Sequence, residues 1–437
     1  MKRANSQPKA RPVYVVDGSR TPFLKAQGPG PLAAADLAVA AARSLLIRQP
    51  FEAEQINEVV LGCVMPGPDE ANIARVVGLR LGLPQQTPAW TVQRNCASGL
   101  QAVDSAYQSI ASGRSELVLA GGVEAMSRAP LLLSVLMSHW FYHWSRTRSF
   151  GARVQLLAEL RPAHLQPVIA LLRGLTDPVV GLSMGQTAEL LAHRFGIERE
   201  QMDEYALESH RRLGEAQDGR WLDEIEPLYL SDGTILKDDN GLRRDSDMAA
   251  MAWLRPVFDR PVGHVTAGNS AQVSDGAAML LLASADAVDR YGLKVLGRIT
   301  DLVWSGLDPA EMGLGPAYAM STLLKRHHMR PDQVDFWEIN EAFAAQVLAC
   351  QSAWNSDSFC QHELGREKSL GAIPEQQLNV DGGAIAIGHP VGASGARLVL
   401  HLLKVLEREE AHRGIASLCI GGGQGGAVML ERTGGGA

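Results

Sequence analysis

The chain of 437 residues lacks most features that would assign it to nucleic acid, to a bilayer or to an oxidising compartment. It has no basic excess: the net charge is −7, with 41 Lys and Arg against 48 Asp and Glu. Without a basic face, general phosphate-backbone binding is excluded. No run of 18 apolar residues occurs, so no segment can cross a membrane as a helix. Met1 to Arg11 is basic and polar and lacks the apolar stretch of a secretory signal. The five cysteines (Cys63, Cys96, Cys350, Cys360, Cys419) are odd in number and contain no CxxC pair, which excludes a disulfide framework and a common zinc or redox motif. A reducing, cytoplasmic setting is the expectation. What is abundant is apolar residues, at 46%, enough for a large core in two or three domains.

Short β-rich runs alternate with longer helical ones, which predicts an α/β fold. Strands are expected at 13–16, 58–61, 117–120, 415–420 and 427–430, and helices at 33–47, 99–111, 199–216 and 393–407. An internal repeat organises this series. Cys96-Ala97-Ser98-Gly99 is echoed by Gly392-Ala393-Ser394-Gly395. Each copy opens a helix, and each is followed by an apolar strand ending in glycines, Gly121-Gly122 and Gly421-Gly422. A duplicated α/β domain explains the echo, although helix starts favour small residues in any case. By that reading Gly392 holds the place in the second half that Cys96 holds in the first.

Two thiols sit where a sulfur could be exposed. Cys96 stands at a helix mouth, where the dipole and free N–H groups lower a thiol pKa. Cys419 ends an apolar run and meets Gly421-Gly422-Gly423, which would admit a substrate close to the backbone. His389 lies in the glycine-rich loop 381–395 between Gly388 and Pro390, a ready base. Asn340, after the apolar run 336–339, could cap a helix or orient a water or an oxyanion. Either cysteine alone reads more simply as a buried small hydrophobe, as do Cys63, Cys350 and Cys360. Gly421 to Gly426 formally fits the dinucleotide fingerprint GxGxxG, but a strand follows where a helix is required, so the glycines read as a hairpin turn.

Residues 131–175 differ in composition. Leu, Val and Ile accompany Trp140, Phe141, Tyr142 and Trp144, with five arginines and one acid, Glu159. This pattern suits an interfacial or partner surface, or a lid over the site.

With Thr266-Ala267-Gly268-Asn269, Asn340-Glu341-Ala342-Phe343-Ala344, Gly382 to Pro390 and Cys419 to Gly423, the chain resembles the thiolases along nearly its whole length. The resemblance implies a layered αβαβα sandwich of duplicated α/β domains. The N-terminal half would be 1–126, with 268–292 returning to it; a loop or lid domain would span 127–267, and the C-terminal half 293–437. It implies cleavage of 3-oxoacyl-CoA by CoA, with no cofactor and no metal. Cys96 would be the nucleophile, His389 its base, and Cys419 the acid or base at carbon. Asn340 would serve one oxyanion hole, and the backbone N–H groups of Cys96 and Gly421 another. Met184, Met312 and Phe343 would line the pocket, Arg243 or Arg244 would meet CoA phosphates, and Ser270 would replace a hydroxyl that Ala271 lacks. Residues 356–376 would form a polar surface loop. The long apolar segment 131–175 resembles that of thiolase subunits in fatty-acid oxidation complexes, which favours β-oxidation of medium or long chains. A homodimer or homotetramer, and a partner subunit or peripheral membrane contact through 131–175, follow from the same resemblance. The rivals are a short-chain acetoacetyl-CoA thiolase, a 3-oxoacyl synthase, which would not need Cys419, and a non-catalytic lipid-binding relative.

Overall fold

The structure is a computed structural model that describes residues 11–433; all of the basic segment 1–11 except Arg11 lies outside the described residues. Ten strands form one sheet: β1 Val13–Arg20, β2 Leu24–Lys25, β3 Glu58–Gly62, β4 Ala89–Val92, β5 Leu117–Ala125, β6 Ser274–Ser284, β7 Gly297–Gly306, β8 Phe336–Ile339, β9 Arg413–Ile420 and β10 Gln424–Glu431. Their order is β8-β9-β10-β7-β1-β6-β5-β3-β4, with β2 on β6. The duplication is visible in this order. In the first half β3 runs parallel to β5, and β5-β6-β1 continue antiparallel. In the second half β8 runs parallel to β9, and β9-β10-β7 continue antiparallel. Only the three pairs from Val13↔Ile299 to Val15↔Gly297 join the halves as a ladder.

Helices α1 Ala34–Ile47 and α2 Ser98–Ala111 belong to the first half; α7 Gly315–Arg326, α8 Ala344–Asn355 and α9 Ser394–Arg408 belong to the second. Between the halves in sequence lie α3 Val135–Arg146, α4 Phe150–Ala158, α5 Met184–Phe195 and α6 Arg199–Asp218. α1 covers one outer face and α7 the other, while α2 and α9 pack against each other between the two half-sheets. The result is the layered α/β sandwich expected from the sequence. A helix buried nearly all round must lie inside, and α9 is one: Leu398 to Leu403 are all buried. β5 is buried along its full length, as a strand covered on both faces must be.

The repeated motif gains a steric reason here. A Cβ on Gly99 would come within 2.7 Å of the Gly392 carbonyl oxygen and 2.9 Å of Ala396 N, so the central helices cross on backbone. A Cβ at Gly122 would overlap that same carbonyl oxygen. Gly121 and Gly122 therefore do not end a strand, as the sequence suggested; they lie inside β5 and permit close approach. Gly422 and Gly423, at φ 92° and 73°, do form the β9–β10 turn.

Two further expectations change. Segment 356–376 is not a plain polar loop: Ser356 Oγ accepts the Phe359 N–H at 3.2 Å and caps a helix, Asp357–His362, whose Phe359 and Cys360 are buried. Segment 131–175 carries α3 and α4, with Leu131, Val135, Phe150 and Leu165 between 67% and 83% exposed. Among the described residues no helix is long and apolar enough to cross a membrane.

Candidate active site

The turn before α2 presents Cys96. Asn95 takes a left-handed conformation, φ 43°, which Asn tolerates better than most side chains, and its Nδ2 donates to the Gly421 carbonyl at 2.8 Å. Ser98 closes the turn: its Oγ donates to Asn95 O at 2.7 Å and accepts the Arg94 N–H at 2.9 Å. The Arg94 guanidinium carbon lies over Trp304, 4.0 Å from the ring centre. The nucleophile candidate is thus tied to the β9–β10 turn of the other half. Asn95 did not stand out in the sequence, and Ser98 did so only as part of the repeat, because their partners lie far along the chain or are backbone atoms.

Cys96 lies at the wall of a cavity of about 800 Å³, shared with Val64, Met65, Met126, Leu175, Met184 and Gly421. The thiol is not depressed as the helix mouth suggested. Burial pushes it up, opposed by the Gly421 and Cys96 backbone N–H groups. Those N–H groups favour negative charge at this spot, which suits an oxyanion as well as a thiolate. Cys419 is not exposed either: it is 1% accessible, and burial drives its thiol well above the ordinary value, with the charge of Cys96 adding to the effect. Met184, Met312 and Ala342 surround it, with Leu175 and Phe343 packed outside them. Three residues expected at the pocket therefore gather around the second sulfur.

His389 is buried at the entrance to α9, its backbone N–H on the Gln272 carbonyl at 3.3 Å. Ser394 Oγ lies 3.0 Å from the Pro390 carbonyl, to which it can donate, and 2.7 Å from His389 Nδ1, from which it then accepts. In the Nδ1–H tautomer this arrangement accommodates, Nε2 keeps its lone pair, towards which Asn340 Nδ2 reaches at 3.4 Å. Burial, followed by the charge of Arg397, lowers the imidazole to about 4, so it is neutral at pH 7. Asn340 Oδ1 is buried without a hydrogen-bond partner among the described residues. Its backbone N–H binds the Ser417 carbonyl at 2.9 Å. The neighbouring Glu341 carboxylate fixes this strand end to α6 by accepting from Tyr205 Oη at 3.0 Å and Ser209 Oγ at 2.7 Å.

Arg243 and Arg244 lie apart from Cys96, on a second cavity of about 540 Å³ beside α6. Arg244 is engaged by Asp218, both contacts at 2.9 Å. Arg243 has no carboxylate partner among the described residues and only donates to the Ala267 carbonyl at 3.2 Å. Ser270 Oγ donates to the Thr266 carbonyl at 2.7 Å.

A thiol at a helix mouth, a second buried thiol that feels its charge, and a buried neutral imidazole paired with an asparagine, in two halves of a duplicated α/β sandwich, are the features of thiolases. The N-terminal thiolase domain model matches residues 13–286 and the C-terminal thiolase domain model residues 293–432, and the chain belongs to this family. It is 36% identical over 423 residues to the 3-ketoacyl-CoA thiolase of Yersinia pestis (strain Pestoides F), covering 96% of each chain. The human mitochondrial 3-ketoacyl-CoA thiolase, solved in complex with CoA, superposes with a TM-score of 0.83 at 36% identity, over 97% of this chain and 98% of that one. An acetyl-CoA acetyltransferase from Bacillus anthracis gives 0.83 at 33% identity, over 98% and 100%.

Proposed function

We propose that this chain is a cytoplasmic acyltransferase that cleaves 3-oxoacyl-CoA with CoA to acetyl-CoA and a shortened acyl-CoA, in fatty-acid β-oxidation. The observation that carries the reading is the protonation pattern of the site. Ser394 supports the Nδ1–H tautomer of His389, which leaves Nε2 as a base, while burial keeps Cys96 a thiol until that base acts. His389 takes the Cys96 proton as Sγ adds to the 3-oxo carbon. The C2–C3 bond breaks, leaving an acyl group on Cys96 and a carbanion on acetyl-CoA. Cys419 protonates that carbanion; a buried, high-pKa thiol serves here as an acid and not as a competing nucleophile. CoA then gives its thiol proton to Cys419, attacks the acyl-enzyme and releases Cys96, which regains its proton from His389. The backbone N–H groups of Cys96 and Gly421 would hold one oxyanion and the His389–Asn340 pair the other, each donor contributing about 3 kcal/mol.

The apolar lining by Val64, Met65, Met126, Leu171 and Leu175 supports medium or long acyl chains. Turnover of 3-oxohexadecanoyl-CoA should exceed that of acetoacetyl-CoA, and a strong preference for the latter would establish the short-chain reading. Mass spectrometry of an acylated Cys96 after mixing with 3-oxoacyl-CoA alone tests the covalent step; a chain that neither acylates nor turns over would be a non-catalytic relative. The unpaired guanidinium of Arg243 makes it the stronger phosphate contact, so Arg243→Ala should raise KM for CoA several-fold more than Arg244→Ala. The exposed apolar and arginine-rich face of 131–175 fits a partner subunit or an anionic lipid surface, and the enzyme would act as a homo-oligomer.

A further inference from the structure

Glu124 is fully buried near the end of β5, two residues before Met126 on the cavity wall. Its two oxygens accept the N–H groups of Val64 and Met65, both at 2.9 Å, and both residues line the cavity that holds Cys96. The Gly392 N–H also favours its charged form. Gly392 sits three residues beyond His389, and a Cβ there would stand 2.8 Å from Glu124 Oε2 and 3.1 Å from the Gly62 carbonyl oxygen. Cys63 Sγ approaches Oε1 at 3.7 Å. One side chain therefore bonds the turn after β3, in the first half, and packs directly against the turn after His389, in the second. No ion pair engages it among the described residues, and burial pushes the carboxyl up to about 7. A carboxyl so poorly solvated, and costly to bury unless bonded, reads as more than filler in a glycine-rich strand.

We propose that Glu124 is a positioning residue for the acyl transfer, clamping the Cys63–Met65 turn to the Gly392 turn and so fixing His389 relative to Cys96. It touches neither sulfur of the reaction; it acts through the two backbone turns it joins. The proposal rests on the thiolase reading for its measure of turnover, while a second readout, alkylation of Cys96, is independent of that reading. Glu124→Gln keeps the shape but offers an amide NH2 where an oxygen accepts an N–H, so one turn must shift. Because the charge of Glu124 also raises the Cys96 thiol, its removal should not slow the thiol itself.

The experiment measures kcat, KM and the iodoacetamide rate at Cys96 for wild type, Glu124→Gln and Glu124→Asp. The expected result for Glu124→Gln is a fall in kcat of about ten- to a hundredfold, as misplacement of reacting groups gives. KM should stay within about threefold and Cys96 should alkylate no more slowly than in wild type. Unchanged kcat, or equal losses of kcat, alkylation and melting temperature, would overturn it. Should Glu124→Gln fail to fold, Glu124→Asp decides: it keeps the charge but falls one methylene short, and full activity there would refute the clamp. Wild-type protein without any thiolysis would instead sink the functional reading and leave the alkylation comparison standing.

Discussion

At the residue scale, the state of the site follows from which polar atoms have partners. In the proposed reaction His389 serves as the base in the tautomer that Ser394 supports when its hydroxyl donates to the Pro390 carbonyl. Ser394→Ala should leave the Nδ1 proton unbonded or move it to Nε2, and lower kcat by about tenfold or more, seen in steady-state thiolysis with little change in KM. Cys419→Ala should suppress solvent exchange of the acetyl-CoA methyl protons while Cys96 still becomes acylated, checked by NMR and mass spectrometry. Cys96, Cys419, His389 and Asn340 stood out in the sequence because each sits in a local pattern: a helix mouth, the end of an apolar run before glycines, a glycine-rich loop and the residue after an apolar run. Ser394 was legible only as an echo of Ser98, and Glu124 not at all, since a buried acid is distinguished by N–H donors that come from elsewhere in the chain. The ionisation of Cys96 was misread for a related reason: the helix mouth is local, whereas the desolvation that outweighs it is tertiary.

At the scale of elements, α2 and α9 set the geometry. Gly99→Ala would drive a methyl into the backbone of α9, and overpacking of this kind costs about 1–3 kcal/mol, read as a lower urea midpoint at unchanged slope. α9 also carries a buried chain of charges. Arg20 is held by Asp239 at 2.7 and 2.8 Å and by Glu224 at 3.2 Å; His401 Nδ1 meets Glu224 at 3.1 Å, and its Nε2 lies 3.3 Å from Asp381. Burial works against the imidazolium, yet hydrogen bonds to Asp381 and Glu224 and the charges of Glu224 and Glu338 raise it to about 10. A raised folded pKa means that this stabilisation is complete below the ordinary 6.5 and is lost as pH climbs towards about 10. Melting temperature should therefore fall across that range, and the slope should be shallower in His401→Gln. The repeat was readable from the helix-opening motifs, but the role of its glycines was not, because close backbone approach between segments nearly 300 residues apart leaves no local pattern.

At the scale of the whole molecule, the segment 131–175 stands apart from the sandwich. Its apolar side chains are exposed, so replacing Phe150 and Leu165 by Ser should shift stability by no more than about 0.5 kcal/mol each, tested by thermal melts. Its composition announced an unusual surface; near its end Leu171, Arg173, Gly174 and Leu175 line the cavity, so a lid role and a docking role would draw on different parts of it.

The glycine crossing of α2 and α9 has a consequence for how such a molecule can be divided. Asn95 reaches across to Gly421, and Glu124 to the turn at Gly392, so the reacting groups are assembled from both sides of one seam. Cut in the connection between β6 and β7, the chain would yield two pieces that each keep a thiol but not a complete site. Thiolysis would then appear only when the pieces meet, with a rate that rises with the product of their concentrations, which would make the reaction a gauge of its own assembly.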